Sequence, residues 1–134
     1  MEVRHLYCRP IEDQTGNPTF VDDLAYALCK LADQRTAGTY HIAGSEAMSR
    51  HAFACRIAQA FGFDETMIRR IRTADLHQPA QRPVHSTFVT LKFESEFGFR
   101  LSNVAQGLQR LQDQYREGAD FLNQLNRNAR NIER

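Results

Sequence analysis

The stretch EDQTGNPTFVDDLA, residues 12–25, combines a polar turn, a proline and the acidic start of a helix. We predict that Gly16 and Asn17 form a turn with positive φ, and that Pro18 keeps the residue before it extended. Residues 19–21 then read as a brief strand, and Asp22 is the predicted N-cap of a helix with an apolar stripe at Leu24, Leu28 and Leu31. Such a run is expected to hold a polar loop at the edge of a site.

The composition is that of a single globular domain. The chain has 134 residues, 42% of them hydrophobic and 25% charged, and a formal charge of +1, which argues against a nucleic-acid-binding surface. No apolar run approaches the roughly 20 residues that cross a bilayer, and the first ten residues lack the apolar core of a signal peptide. We therefore expect a cytoplasmic protein without membrane contact. The widely spaced Cys8, Cys29 and Cys55 predict reduced, mostly buried thiols.

Apolar segments and capping residues predict further short strands and helices. A short strand is predicted near Val3, Leu6 and Tyr7, and another over residues 39–42 of GTYHIAGS, which ends in a tight turn. Ser49 is the expected N-cap of a helix that Gly62 closes, and a helical turn is expected over residues 64–68. A loop containing Pro79 and Pro83 then leads to a short helix, LKFESEF, between Thr90 and Gly98.

The C-terminal part has a heptad-like pattern. Apolar or small residues recur in steps of four and three at Val104, Leu108, Leu111, Tyr115, Gly118, Leu122, Leu125, Ala129 and Ile132. This pattern predicts one or two helices that pack on the body of the domain, or a C-terminal helix that binds a partner chain.

Familiar catalytic motifs are weak or missing. Tyr26 and Lys30 have the Y-x-x-x-K spacing of short-chain dehydrogenases, but they lie off the leucine stripe and are expected on a solvated helix face. No G-x-G-x-x-G follows a strand, and the five histidines lack the paired spacing of a metal site. We predict no metal site and no dinucleotide site in this chain.

Two unusual loops are better candidates for a site. DQTGNPT, residues 13–19, offers a carboxylate, an amide and backbone N–H groups, although Asp13 alone could simply cap a turn. TADLHQPAQRP, residues 73–83, carries Thr73, Asp75, Gln78 and Arg82 on a constrained segment. The planar guanidinium of Arg82 suits a phosphate, and the alternative is an ion pair with a surface acid.

Three stretches in register carry a resemblance to a known family: residues 13–25, residues 38–63 and residues 73–108. From about Glu12 to Tyr115 the chain resembles the C-terminal part of dTDP-4-dehydrorhamnose reductase and related extended short-chain dehydrogenases. The resemblance implies an α/β protein, more exactly an α+β-like fragment: a helix-rich lobe with a few short strands, without the Rossmann half that binds NADPH. Residues 1–115 would form the substrate-binding lobe, and residues 116–134 a C-terminal helical tail.

The resemblance also implies a function. The chain would be the substrate-binding portion of an NADPH-dependent nucleotide-sugar reductase of dTDP-rhamnose biosynthesis, and catalysis by it alone is not expected. The binding residues would be Asp13, Gln14, Asn17 and Thr19 near the sugar, and Gln78, Arg82 and Ser86 near the diphosphate. No catalytic role is implied for Tyr26 or Lys30. The chain would be either a fragment of such a reductase or a chain completed by a separate Rossmann-containing partner, and a homo-oligomer is the other possible assembly.

A second reading belongs to another class. Relatives of this reductase family include the regulatory subunit of methionine adenosyltransferase, so the chain could be a non-catalytic regulatory or assembly protein. It would then act through homo- or hetero-oligomerisation, for which the heptad-like tail is the motivating feature.

Overall fold

The computed structural model describes residues 7–132, and the side chains of residues 7–120. It is an α/β fold, rich in helix and with very short strands, as predicted. The helices are α1 (Val21–Asp33), α2 (Arg50–Phe61), α3 (Leu91–Phe97) and α4 (Val104–Ile132), and the strands are β1 (Thr15–Gly16), β2 (Met48–Ser49) and β3 (His85–Ser86). Two 3-10 helices cover Glu65–Met67 and Thr73–Leu76. None of the described helices is long and apolar enough to cross a membrane.

The central strand of the small sheet is β1. It pairs antiparallel with β2 and parallel with β3, so that Thr15 lies opposite Ser49 on one side and His85 on the other. The predicted turn at Gly16 and Asn17 is therefore wrong, and neither residue has a positive φ. Pairing on both edges requires an extended backbone, and the two partner strands come from distant parts of the sequence.

Helix α1 begins two residues earlier than predicted. Phe20 is the N-cap, with extended φ −73° and ψ 129° and no side-chain cap, so Asp22 lies in the first turn and residues 19–21 form no strand. The predicted stripe is also shifted, because Leu28 is 54% exposed while Asp23 and Ala27 are buried. The buried face of α1 therefore centres on Asp23 and Ala27, and Leu31 is the leucine that packs against the core.

The core forms where α1 meets α3 and the segment that follows it. Ala27, Phe93 and Leu101 are its buried centre, and the rings of Phe93 and Phe97 stack with centroids 4.9 Å apart. Tyr40 and Ile42 pack against this cluster from residues 39–42, which form no strand. The alternation in this segment therefore reflects two side chains facing the core without a neighbouring strand to pair with.

The predicted helix boundaries agree with the structure better than the predicted strands do. Ser49 caps α2 by accepting a hydrogen bond from the N–H of Ala52 at 3.1 Å, and Gly62 closes it with φ 70°. Gly98 closes α3 with φ 60°. Thr90 does occupy the N-cap of α3, but its hydroxyl donates to the Glu94 carboxylate at 2.5 Å instead of capping the backbone.

Helix α4 is one continuous helix. Asn103 and Gln106 exchange hydrogen bonds at its start, 2.9 and 3.0 Å long, and this reciprocal pair satisfies free N–H groups of the first turn. Only the first part of the predicted seam is buried, at Val104 and Leu108, and Leu111 is 43% exposed. The seam positions from Leu122 onwards lie outside the residues whose side chains are described.

The cysteines and the N-terminal strand need two corrections. All three thiols are free, but Cys8 and Cys29 are exposed and Cys55 is half-buried, so the prediction of mostly buried thiols was wrong. The strand predicted near residues 3–7 falls mainly outside the described residues. Within them, Cys8 and Ile11 form isolated parallel bridges with Ile68 and Ile71.

Candidate functional site

The first candidate loop is tied to the second by Asp13 and Gln14. The Asp13 carboxylate accepts hydrogen bonds from the N–H of Thr73 at 3.0 Å and from its hydroxyl at 2.8 Å. The buried Gln14 side chain donates to the same hydroxyl at 3.1 Å. The hydrogen bond from the Thr73 side chain, assisted by its backbone N–H, lowers the pKa of Asp13 from its ordinary value. Asp13 thus anchors the start of the second loop, which is more than capping its own turn.

This ionised anchor predicts a pH-dependent contribution to stability. Because the pKa of Asp13 is lower in the folded chain, its stabilising effect is complete above the ordinary carboxyl pKa of about 3.9 and is lost as the pH falls through the lowered value. We expect Asp13→Asn to be less stable than the wild type at about pH 6, and the difference to shrink as the pH falls below the ordinary carboxyl pKa. Urea unfolding of both proteins across this range measures it. An equal difference at every pH would contradict the assignment, and Asp120→Asn, on the exposed side of α4, is the control.

The middle of the first loop pairs with β3. The N–H of Thr15 donates to the carbonyl of Val84 at 2.8 Å, and the Thr15 hydroxyl lies 2.7 Å from His85 Nδ1. Ser86 donates its hydroxyl to the Thr15 carbonyl at 3.1 Å. Ser86 is exposed, and its oxygen keeps its acceptor capacity while its proton is used inside the protein.

The end of the first loop holds Gly44 and the segment after β3. The Asn17 side chain donates to the Gly44 carbonyl at 2.9 Å and accepts from the N–H of Phe88 at 3.0 Å. The Thr19 hydroxyl donates to the Asn17 carbonyl and accepts from the N–H of Gly44, both at 3.0 Å. The Phe88 ring stacks on His41 with centroids 5.0 Å apart. Asn17 and Thr19 therefore act here as positioning residues for three parts of the backbone.

The two remaining predicted residues, Gln78 and Arg82, are exposed in the second loop. Within the described part of the chain neither makes a hydrogen bond or an ion pair, so the alternative in which Arg82 pairs with a surface acid is not observed. The nearby acid Glu12 is instead paired with Arg72 at 3.0 Å and with Arg70 at 3.8 Å. Within the described residues, the N–H donors of the Arg82 guanidinium therefore have no acceptor.

Some residues of this junction were not anticipated. From the sequence, Thr73 is only a member of its loop. Thr15, His85 and the Glu12–Arg72 ion pair are not predicted as part of the site. The local sequence contains no signal for them beyond a polar loop composition, because each contact joins segments about 60 to 70 residues apart. A separate cavity of about 610 Å³ lies at the start of α4 and includes none of the predicted residues.

The Tyr26 and Lys30 pair does not have a catalytic geometry. Lys30 Nζ lies 5.3 Å from the centroid of the Tyr26 ring, over its face, and the other contact of that ring is edge-to-face with Phe99 at 4.9 Å. Both residues belong to α1 rather than to the two candidate loops. The arrangement agrees with the prediction of a largely solvated helix face.

Two polar loops are joined along one strand, and the second carries an arginine that has no ion pair among the described residues; such an arrangement is typical of a binding domain. The family model described as the RmlD substrate binding domain matches residues 4–117. The chain therefore belongs to the RmlD substrate binding domain family.

Individual proteins support this assignment. The dTDP-4-dehydrorhamnose reductase of Mycobacterium tuberculosis is 38% identical over 77 residues, which cover 57% of this chain and 25% of that protein. Methionine adenosyltransferase 2 subunit beta of Rattus norvegicus is 34% identical over 83 residues, 58% of this chain and 25% of that protein. The crystal structure of dTDP-4-dehydrorhamnose reductase from Bacillus anthracis in complex with NADP superposes with a TM-score of 0.72 at 26% identity, over 78% of this chain and 37% of that one. The chain thus spans between a quarter and two fifths of these relatives.

Proposed function

We propose that this chain is the substrate-binding portion of an NADPH-dependent nucleotide-sugar reductase of the dTDP-4-dehydrorhamnose reductase type. Its substrate would be a 4-keto-6-deoxy sugar linked to a nucleoside diphosphate, in carbohydrate biosynthesis. The observation that carries the proposal is the junction of the two loops on β1, with Gln78 and Arg82 of the second loop exposed and without partners among the described residues. Two adjacent loops with unused donors suit a ligand that is anionic at one end and hydroxylated at the other.

The proposed roles follow from the donors that remain available. Arg82 contacts the diphosphate, because its planar fork binds two oxygens at once. Gln78 and Ser86 supply further polar contacts on the same side. The first loop, through Asp13, Gln14, Asn17 and Thr19, forms the wall of the cleft near the sugar, and several of its polar groups are already used to hold that wall in place.

The described residues do not fit the cofactor of the family. A dinucleotide site needs a glycine-rich turn that brings the pyrophosphate to a helix N-terminus. Here α1 follows Pro18, Thr19 and Phe20, while α2 follows a serine cap whose side chain already bonds the first turn. We therefore derive no reaction step through NADPH from this chain. The part played by its own residues is to bind and orient the sugar nucleotide.

Replacing Arg82 tests the proposed site. Arg82→Ala is expected to weaken binding of dTDP by about 1.5 to 3 kcal/mol, because a hydrogen bond between charged groups is lost. Isothermal titration calorimetry measures the change. The matched control is Arg56→Ala on α2, which removes another exposed arginine that makes no ion pair within the described residues. Equal affinities of Arg82→Ala and wild type would remove Arg82 from the site.

The function itself is tested by titrating the chain with dTDP and, in parallel, with NADPH. We expect binding of dTDP without binding of NADPH. The described helix starts lack the glycine-rich turn of a dinucleotide site. Binding of NADPH without binding of dTDP would therefore contradict the proposal. In the complex with dTDP, hydrogen–deuterium exchange should show protection in residues 73–88, the segment that contains the second loop.

A second candidate function has one specific observation in its favour. The match to methionine adenosyltransferase 2 subunit beta covers a share of this chain similar to the share covered by the reductase. In this alternative the chain has a regulatory or assembly role and serves a partner enzyme. Two results together would favour this alternative over the first proposal. The folded chain would not bind dTDP, and it would co-purify with an enzyme from its own source.

A further inference from the structure

Helix α4 continues beyond the domain that the family accounts for. The family model ends at residue 117, whereas α4 runs to Ile132. Near the end of the part that the family model covers, the Tyr115 ring meets Phe61 of the domain body edge-to-face, with centroids 6.5 Å apart. At 1.5 Å per residue, residues 116–132 extend the helix by about 25 Å. This extension needs an explanation other than the binding of the sugar nucleotide.

The extension has the pattern of an interface. Leu111 and Tyr115 are 43% and 70% exposed at the point where the seam leaves the body. The sequence repeats the same spacing through Leu122, Leu125, Ala129 and Ile132. An isolated helix with an apolar stripe gains little in water, so a stripe of this length is normally buried against another element.

The distribution of charge along the extension indicates which element that is. Residues 113–120 contain three acids and one arginine, and residues 121–132 contain two arginines, Arg127 and Arg130, with no acid. Arg116 is paired with Asp113 at 3.9 Å within the helix, which leaves Glu117 and Asp120 as an acidic segment. Residues 113–120 of the helix are therefore net acidic, and residues 121–132 are net basic.

We propose that α4 pairs with α4 of a second copy of this chain in an antiparallel two-helix arrangement, centred near Leu122. In this orientation the net acidic segment of each helix faces the net basic segment of the other, and the two helix dipoles are opposed. A parallel pair in register would place like charges side by side along the whole extension. The stripe has few large residues, so the association is expected to be weak, in the micromolar range, and to weaken further at high salt.

The first test is sedimentation of the full chain over a range of concentrations. We expect reversible dimerisation of the wild type, loss of the dimer in Leu122→Asp, and an unchanged dimer in Gln124→Asp, which places the same charge off the stripe. Circular dichroism of each variant establishes that it is folded. A wild type that stays monomeric at every concentration, or Leu122→Asp and Gln124→Asp variants that associate equally well, would overturn the proposal.

The orientation is tested with a variant in which the charges of the extension are inverted. Glu117→Arg, Asp120→Arg, Arg127→Glu and Arg130→Glu together keep an antiparallel pair complementary to itself but make it repel the wild type. Native mass spectrometry of a mixture should therefore show the two homodimers in excess over the mixed dimer. An excess of the mixed dimer would indicate parallel pairing and overturn the antiparallel arrangement. Neither readout involves the nucleotide, so both are independent of the proposed function.

Discussion

The Gly44→Ala variant is expected to lose more than about 3 kcal/mol of stability, or not to fold. A Cβ at this position would lie 1.9 Å from the carbonyl oxygen of Pro18 and 3.0 Å from its carbonyl carbon. The clash is with backbone, and Pro18 cannot easily move because both of its neighbours, Asn17 and Thr19, are hydrogen-bonded to Gly44. Overpacking usually lowers the free energy of unfolding by about 1 to 3 kcal/mol, and this clash with backbone is expected to reach or exceed the upper end of that range. Urea unfolding followed by circular dichroism measures the loss.

The matched control is Gly118→Ala. A Cβ at Gly118 meets no atom within 4 Å, and the residue lies inside α4. Alanine there should stabilise the helix by about 0.5 to 1 kcal/mol, because glycine is the poorer helix former. A Gly44→Ala variant as stable as the wild type would show that residues 17–19 do not approach Gly44 as closely as described.

The second large effect is expected for Asp23→Ala. Asp23 is only 4% exposed, and its carboxylate accepts the N–H of Ser102 at 2.7 Å and a hydrogen bond from Arg110. The substitution leaves a backbone donor and a guanidinium without their acceptor. Removing one member of a buried pair costs about 3 to 5 kcal/mol, and we expect about 2 to 3 kcal/mol here because the Arg110 side chain is 46% exposed. Urea unfolding at neutral pH is the measurement.

The neighbouring residue, Asp22, provides the control variant. The pH dependence of the stability lost in Asp23→Ala provides a second measurement. Asp22→Ala removes a single, more exposed hydrogen bond to Gln114 and should cost less than about 1 kcal/mol. Burial disfavours the charge on Asp23, but the hydrogen bonds from Ser102 and Arg110 outweigh it and lower the pKa. The Asp23→Ala defect should therefore be full above the ordinary carboxyl pKa and shrink as the pH falls through the lowered value. Equal defects in the two variants would contradict the role of Asp23.

The helices could be predicted because their signals are local. Ser49, Gly62 and Gly98 end or begin helices through contacts within four residues, so their roles are visible in a short stretch of sequence. The resemblance to the reductase family likewise depended on local stretches in register, and the family match confirms it. The start of α1 was misplaced because Phe20 is an N-cap without a side-chain hydrogen bond.

The strands and the contacts of the site could not be predicted, because their partners are remote. Each strand has two residues, too few to show alternation, and β1 finds its partners more than 30 residues away. Asp23 lies in the acidic first turn of α1, yet its partners Ser102 and Arg110 lie 79 and 87 residues further along the chain. Composition identified the two loops, but only the fold distinguishes Asn17, which binds backbone, from Arg82, which is left unpaired.

The second loop is attached at both ends to the same short stretch of the first. Asp13 holds Thr73, and Thr15 holds Val84, so the residues between these two anchors form a closed loop on a rigid base. Because the entropy cost of such a closed loop grows only slowly with its length, by about 0.6 kcal/mol for each doubling, its residues can be exchanged or added with little effect on the rest of the fold. The second loop can therefore vary in sequence and length while its anchors stay the same.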